Sequence, residues 1–97
     1  MTTEKPHRLH VLIKGRVQGV GFRAFVLEQA FRLNLTGWVR NTWDGNVEVM
    51  AEGSRPELDS LFGLLNPGPR GGSVDSLHPE WADGSGEFPS FRVERTV

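Results

Sequence analysis

The sequence predicts an α+β domain, a single antiparallel sheet with two helices on one of its faces. Three observations predict it. Two stretches of helical apolar spacing, of similar length, lie between stretches that alternate with a period of two. An Asp-Gly pair, Asp44-Gly45, joins two of those alternating stretches as a hairpin. The two helical stretches each cross between strands, so one sheet can cover both.

The elements follow in order. Leu9, Val11 and Ile13 alternate with His10, Leu12 and Lys14, a strand pattern rich in β-branched residues. The stretch "KGRVQGVGFRAF" (14–25) then puts Gly15, Gly19 and Gly21 within seven positions, flanked by Arg16 and Arg23. Phe22, Val26, Ala30 and Leu33 fall at helical spacing, predicting a helix over about 22–33 with Asn34 as its stop. Trp38 to Thr42 reads as a short strand, and after the Asp-Gly turn Val47, Val49 and Ala51 alternate with Glu48, Met50 and Glu52. That alternation makes Glu48 and Glu52 the solvated face of a strand. Ser54 and Glu57 have capping-box spacing, Pro56 is tolerated in a first helical turn, and Leu58, Leu61, Phe62 and Leu65 give the helix its buried face. Asn66-Pro67-Gly68-Pro69 ends it. A weaker strand spans Val74 to Trp81, a Gly/Ser loop covers 84–86, and Phe91 and Val93 share one face of a last strand. The order is β-α-β-β-α-β with one extra strand near the end, which closes most simply as the ferredoxin-like split βαβ sandwich.

Composition narrows the function. At 97 residues the chain has room for one domain with one modest core, so 1–97 is read as a single unit with a loose polar start over 1–6. Net charge is −1, which draws neither nucleic acid nor an acidic membrane. The absence of cysteine removes disulfides, thiolate metal sites and cysteine nucleophiles. No signal peptide and no membrane-length apolar run is evident, so a cytoplasmic monomer is expected. His7, His10 and His78 lack ligand spacing with carboxylates, so no metal and no cofactor is expected. Trp38, Trp43 and Trp81 lack the basic surroundings of an RNA-stacking sheet.

The glycine elbow has two readings. Between a strand and a helix, glycines let successive amides point inward, and the helix dipole adds positive charge, so the junction can hold an anion. A cation in the first turn opposes that dipole, so Arg23 there hints at a bound anion, which its planar fork suits. The plainer reading makes the elbow only a sharp turn with Arg23 as a solvated side chain. "GVGFRA" (19–24) also satisfies a dinucleotide-binding pattern, but the Asp-Gly hairpin contradicts the parallel sheet this needs. The Gly-Lys-Ser/Thr ending of a P-loop is missing. Asn41 stands at a strand end, either as the residue that starts the turn or as an amide that holds a water or a substrate oxygen.

Two longer stretches carry a resemblance. "GRVQGVGFR" (15–23) followed by "GWVRNTWDGNVEVMAEG" (37–53) strongly resembles the acylphosphatases, with both signatures complete over about half the chain. "NPGPRGGSV" and "FRVER" extend the likeness weakly, and Arg70-Gly71-Gly72 departs from the proline and alanine frequent there. The resemblance implies a ferredoxin-like fold and hydrolysis of acyl phosphates to a carboxylate and inorganic phosphate. It implies that Arg23 binds the phosphoryl group and Asn41 holds the attacking water. The loop of Gly15, Arg16, Val17, Gln18, Gly19, Val20, Gly21 and Phe22 would then cradle the phosphate.

The chemistry is coherent with the residues. With no evident metal cluster, no cysteine nucleophile and no obvious buried base, such a site suits a bond that is already weak, and a carboxyl-phosphate anhydride releases a carboxylate that needs no proton. A non-catalytic module of the same fold that binds a phosphorylated ligand or partner is the alternative. The related N-terminal domain of hydrogenase-maturation carbamoyltransferases shows such a site inside larger proteins, whereas a chain ending after one domain favours the free enzyme.

Overall fold

A computed structural model describes residues 5–97. The expected loose start at 1–6 therefore lies mostly outside the described residues. The elements are β1 (His7–Arg16), α1 (Phe22–Arg32), β2 (Thr36–Asn41), β3 (Val47–Gly53), α2 (Arg55–Leu65), β4 (Ser73–Asp83) and β5 (Phe91–Val93). They form one five-stranded sheet in the order β4-β1-β3-β2-β5. Both helices pack on one face, and the core between them and the sheet is made of the residues that alternation placed inward: Leu9, Val11, Ile13, Val39, Val47, Val49 and Ala51 from strands, Val26, Ala30, Leu58, Leu61 and Leu65 from helices. Burying each such Val, Leu or Ile contributes roughly 1.5–3 kcal/mol.

Local chemistry sets the boundaries. Asn34 takes a left-handed conformation (φ 56°) just past α1, where a helix commonly stops. At α2 the Ser54 hydroxyl accepts the Glu57 N–H at 3.4 Å. In β4, Pro79 sits on an edge strand, where it interrupts no second ladder.

The sheet is mixed, which corrects the expectation of a wholly antiparallel one. Strands β1, β3, β2 and β4 pair antiparallel, but β5 runs parallel to β2. The reason is the path of the chain. Strands β1 and β2 point the same way, each antiparallel to β3, and β4 points the opposite way. A chain that leaves β4 and turns back therefore runs along β2 in β2's own direction. To reach that far edge, residues 84–90 cross the end of the sheet, where the Gly84 N–H donates to Pro6 O and the Gly37 N–H to Ser90 O.

Glu52 holds that crossing. It was expected on a solvated face, yet it is only 2% exposed. Alternation put its side chain on the correct face; the crossing segment then covers it. Its carboxylate accepts from the Ser85 N–H, the Ser85 hydroxyl, the Gly86 N–H and Arg8 Nε, at 2.7–3.0 Å. Burial penalises the charge, but these donors outweigh it and hold the carboxyl below the ordinary glutamate range.

Candidate functional site

The glycine elbow is the junction between β1 and α1. At its entry Gly15 adopts φ 135°, and the register of β1 against β4 shifts between Lys14 and Gly15. A Cβ there would collide with backbone atoms of Ser73 and Asp75, so the bulge requires glycine. At its exit Gly21 is the N-cap of α1 in the left-handed region (φ 80°), with no side-chain cap. Among the described residues the N–H groups of 18–24 make no backbone hydrogen bond of ordinary length and angle. Val17 and Phe22, both buried, anchor the two ends of the elbow in the core.

Above the elbow lies a cavity of about 360 Å³ lined by Val17, Gly19, Gly21, Phe22 and Arg23, together with Ala24, Leu27, Asn41 and Val93. Arg23 is half-buried and makes no hydrogen bond or ion pair among the described residues. The first turn of α1 carries no acidic residue to balance it. Asn41 ends β2 on the helix-facing side, in line with the buried Val39, and its side-chain amide has no partner among the described residues.

Six of the ten residues singled out from sequence thus share one cavity, and four do not line it. Gly15 forms the bulge. Arg16 ends β1 opposite Ser73 with an exposed side chain. Val20 packs against the core, with Gly72 close beside it. Gln18 turns away from the cavity toward the β2–β3 hairpin, where its Nε2 donates to Thr42 O at 2.7 Å and Asn46 O at 2.8 Å. That amide ties the elbow to the turn directly after Asn41.

Behind Asn41, on the open face of the sheet, Arg40 Nε donates to Glu48 Oε1 at 2.8 Å and its guanidinium stacks 4.2 Å over Trp38. His10 Nε2 lies 2.6 Å from Glu48 Oε2. Burial raises the cost of the Glu48 charge, and His10 and Arg40 overcome it, so its carboxyl stays below the ordinary range. This network stiffens β2 without entering the cavity. No group of three or more potential metal-ligating side chains gathers among the described residues, and no helix there is long and apolar enough to cross a membrane.

Sequence reasoning missed three cavity residues. Ala24 and Leu27 read only as helix, and Val93 as a strand residue on the same face as Phe91. Helical spacing does place Leu27 one turn beyond Arg23, which is the one signal that could have found it.

Comparison with known proteins gives the family and the fold. The sequence profile of the acylphosphatase family matches residues 9–93. The acylphosphatase of Salinibacter ruber is 45% identical over 95 residues, covering 98% of this chain and 100% of its own. The crystal structure of acylphosphatase from Bacillus subtilis superposes with a TM-score of 0.88 at 33% identity, over 91% of this chain and 98% of that one. The structure of full-length HypF in a phosphate- and nucleotide-bound form matches with a TM-score of 0.88 at 25% identity, over 98% of this chain but 13% of HypF. With the profile spanning nearly all of the fold and whole-length relatives at this identity, the chain belongs to the acylphosphatase family and is a hydrolase of that family.

Proposed function

We propose that the chain hydrolyses acyl phosphates by direct attack of water, with Arg23 and the elbow amides holding the phosphoryl group and Asn41 holding the water. The observation that carries this reading is the convergence on one cavity of an unpaired guanidinium, unpaired amides at an uncapped helix N-terminus and an unpaired carboxamide. Each is a group whose hydrogen-bonding capacity is left for a ligand.

The reaction balances with these groups alone. The oxygen of water attacks phosphorus, and the bond from phosphorus to the acyl oxygen breaks. Its electron pair leaves on the carboxylate, whose low basicity requires no general acid. A phosphoryl oxygen of the substrate takes the proton from the water. The transition state is loose, with charge on the equatorial oxygens. Preorganised amides and the planar fork of Arg23 stabilise that charge, and Asn41 sets the in-line approach.

The test is steady-state hydrolysis of benzoyl phosphate by wild type, Arg23→Ala and Asn41→Ala. Arg23→Ala loses turnover and phosphate affinity together, because a bidentate charged contact costs about 2–4 kcal/mol in the transition state. Asn41→Ala loses kcat while phosphate still inhibits with nearly its original constant. Near-normal kcat in either variant removes that residue from the mechanism. The match to part of HypF supports a second reading, a phosphate-ligand module of the same fold; phosphate binding by the wild type without turnover would favour it.

A further inference from the structure

We propose that Ala24, Leu27 and Val93 form an acyl-binding wall, so that the preferred substrates are acyl phosphates with an uncharged apolar acyl group, and that Val93 sets this preference. The proposal rests on the acyl phosphate reading of the same cavity.

The cavity is larger than a phosphate needs. Its volume of about 360 Å³ equals that of roughly twelve waters at ~30 Å³ each, whereas a phosphoryl group with its bridging oxygen is five heavy atoms. The polar groups that can take a phosphate gather at the elbow end: Gly19, Gly21, Arg23 and Asn41. Val17 and Phe22 are almost wholly covered and offer little surface. The remaining wall comes from Ala24, Leu27 and Val93, and Arg23 is the only charged residue in the lining. With Arg23 engaged by phosphate, a carboxylate or ammonium on the acyl group would find no partner there. An apolar acyl group would displace water from an apolar surface.

The direction also fits. Arg23 and Leu27 are four residues apart on α1, hence on the same side of the helix and about 6 Å apart along its axis. A group attached to a phosphoryl at the start of α1 therefore reaches Leu27 within the length of a benzoyl ring. Val93 closes the wall from β5. Its backbone is paired with Val39, on whose face it lies, yet its side chain is 44% exposed while Phe91, two residues earlier on the same face, is buried. An apolar side chain on the core side of a sheet that is left partly open to solvent is what a ligand surface requires.

The experiment compares kcat/KM for benzoyl phosphate and acetyl phosphate in wild type, Val93→Thr and Val93→Ala. Threonine keeps the shape of valine and its strand preference, so the sheet is retained. In wild type the benzoyl substrate is favoured. In both variants the benzoyl-to-acetyl ratio falls by about three- to tenfold, mainly through KM, while the inhibition constant of inorganic phosphate stays within about twofold, because Val93 does not touch the phosphoryl end. A ratio that holds in variants with unchanged melting temperature overturns the wall, as does an equal loss for both substrates. Equal use of both substrates by wild type also overturns it and leaves the hydrolase reading standing. Failure of wild type to hydrolyse either substrate removes both proposals.

Discussion

Under the proposed mechanism, replacing Gln18 separates the position of the water from the binding of the phosphate. Its amide is the one side-chain hydrogen-bond link among the described residues between the elbow and the hairpin that follows Asn41, through bonds of 2.7 Å to Thr42 O and 2.8 Å to Asn46 O. Gln18→Leu removes both. Neither carbonyl is then orphaned, because Thr42 O keeps the Gly45 N–H at 3.1 Å and Asn46 O keeps the Thr42 N–H at 2.9 Å. The stability cost is therefore only the net value of two neutral hydrogen bonds, about 1–3 kcal/mol in total. For a domain of this size that lowers Tm by roughly 5–20 °C. Gln18→Glu is worse, since a carboxylate would face two carbonyl oxygens with no donor between them. Gln18→Asn is one methylene too short to keep both bonds.

The kinetic effect is distinct from the stability effect. Asn41 immediately precedes Thr42, so under the proposed mechanism a hairpin released from the elbow carries the carboxamide away from the line of attack. A displacement near 1 Å costs on the order of a hundredfold in rate. The expected result for Gln18→Leu, assayed well below its Tm, is a kcat lower by about ten- to a hundredfold, with phosphate inhibition little changed. Full kcat in a variant that has lost the expected stability would refute the reasoning: the sheet alone would then position Asn41. Parallel losses in kcat and phosphate affinity would mean that Gln18 orders the amides of the elbow instead.

Three further outcomes are expected. Inorganic phosphate raises the Tm of wild type, by up to the equivalent of about 2.7 kcal/mol at a hundred times its Kd; the site-specific part disappears in Arg23→Ala, and an equal shift in both proteins would place the anion elsewhere. Dialysis against a chelator leaves the rate unchanged, because the proposed charge on the phosphoryl side comes from Arg23 and amides; a rate that collapses and returns with magnesium contradicts this. Glu52 supplies stability that depends on pH. Its folded pKa is lowered, so the contribution is complete above the unfolded carboxylate pKa and is lost as pH falls through the folded value. In urea unfolding across the acid range, the stability gap between wild type and Glu52→Gln therefore narrows as pH falls; a gap that stays constant shows that the charge of Glu52 contributes nothing.

Much of the fold was legible because its elements carry their own signals. Alternation in β1 and β3 named the inward residues, and the Asp-Gly turn, Asn34 and Ser54 marked boundaries by local chemistry. The elbow was legible for the same reason, since positive φ at Gly15, Gly19 and Gly21 is a demand that a sequence displays. What stayed hidden was set by partners distant in sequence. Gln18 bonds to backbone carbonyls, which no residue type announces. Alternation put Val93 on one face with Phe91, but its burial depended on what stood opposite, and at the sheet edge it is 44% exposed. β5 has three residues, too few to state a direction or a neighbour.

The fate of Glu52 and the shape of the site are one problem. The cavity needs Val93 beside Leu27, and Val93 is there only because β5 lies against the outer edge of β2. The chain reaches that edge by crossing the end of the sheet, and a crossing segment has few apolar contacts to hold it. Glu52 supplies polar ones: two backbone N–H groups and one hydroxyl of the crossing segment, with Arg8 completing the set and reaching on to Ser85 and Glu87. A buried carboxylate is costly unless fully bonded, and here every donor comes from the segment it must hold or from the neighbouring strand. The staple is thus at the opposite end of the sheet from the elbow, yet it ties down the segment that leads to the strand flanking β2. Loosening it should blunt the preference between acyl groups before it affects the phosphate, because Arg8 meets the crossing at the start of β1 and the elbow follows the other end of that strand.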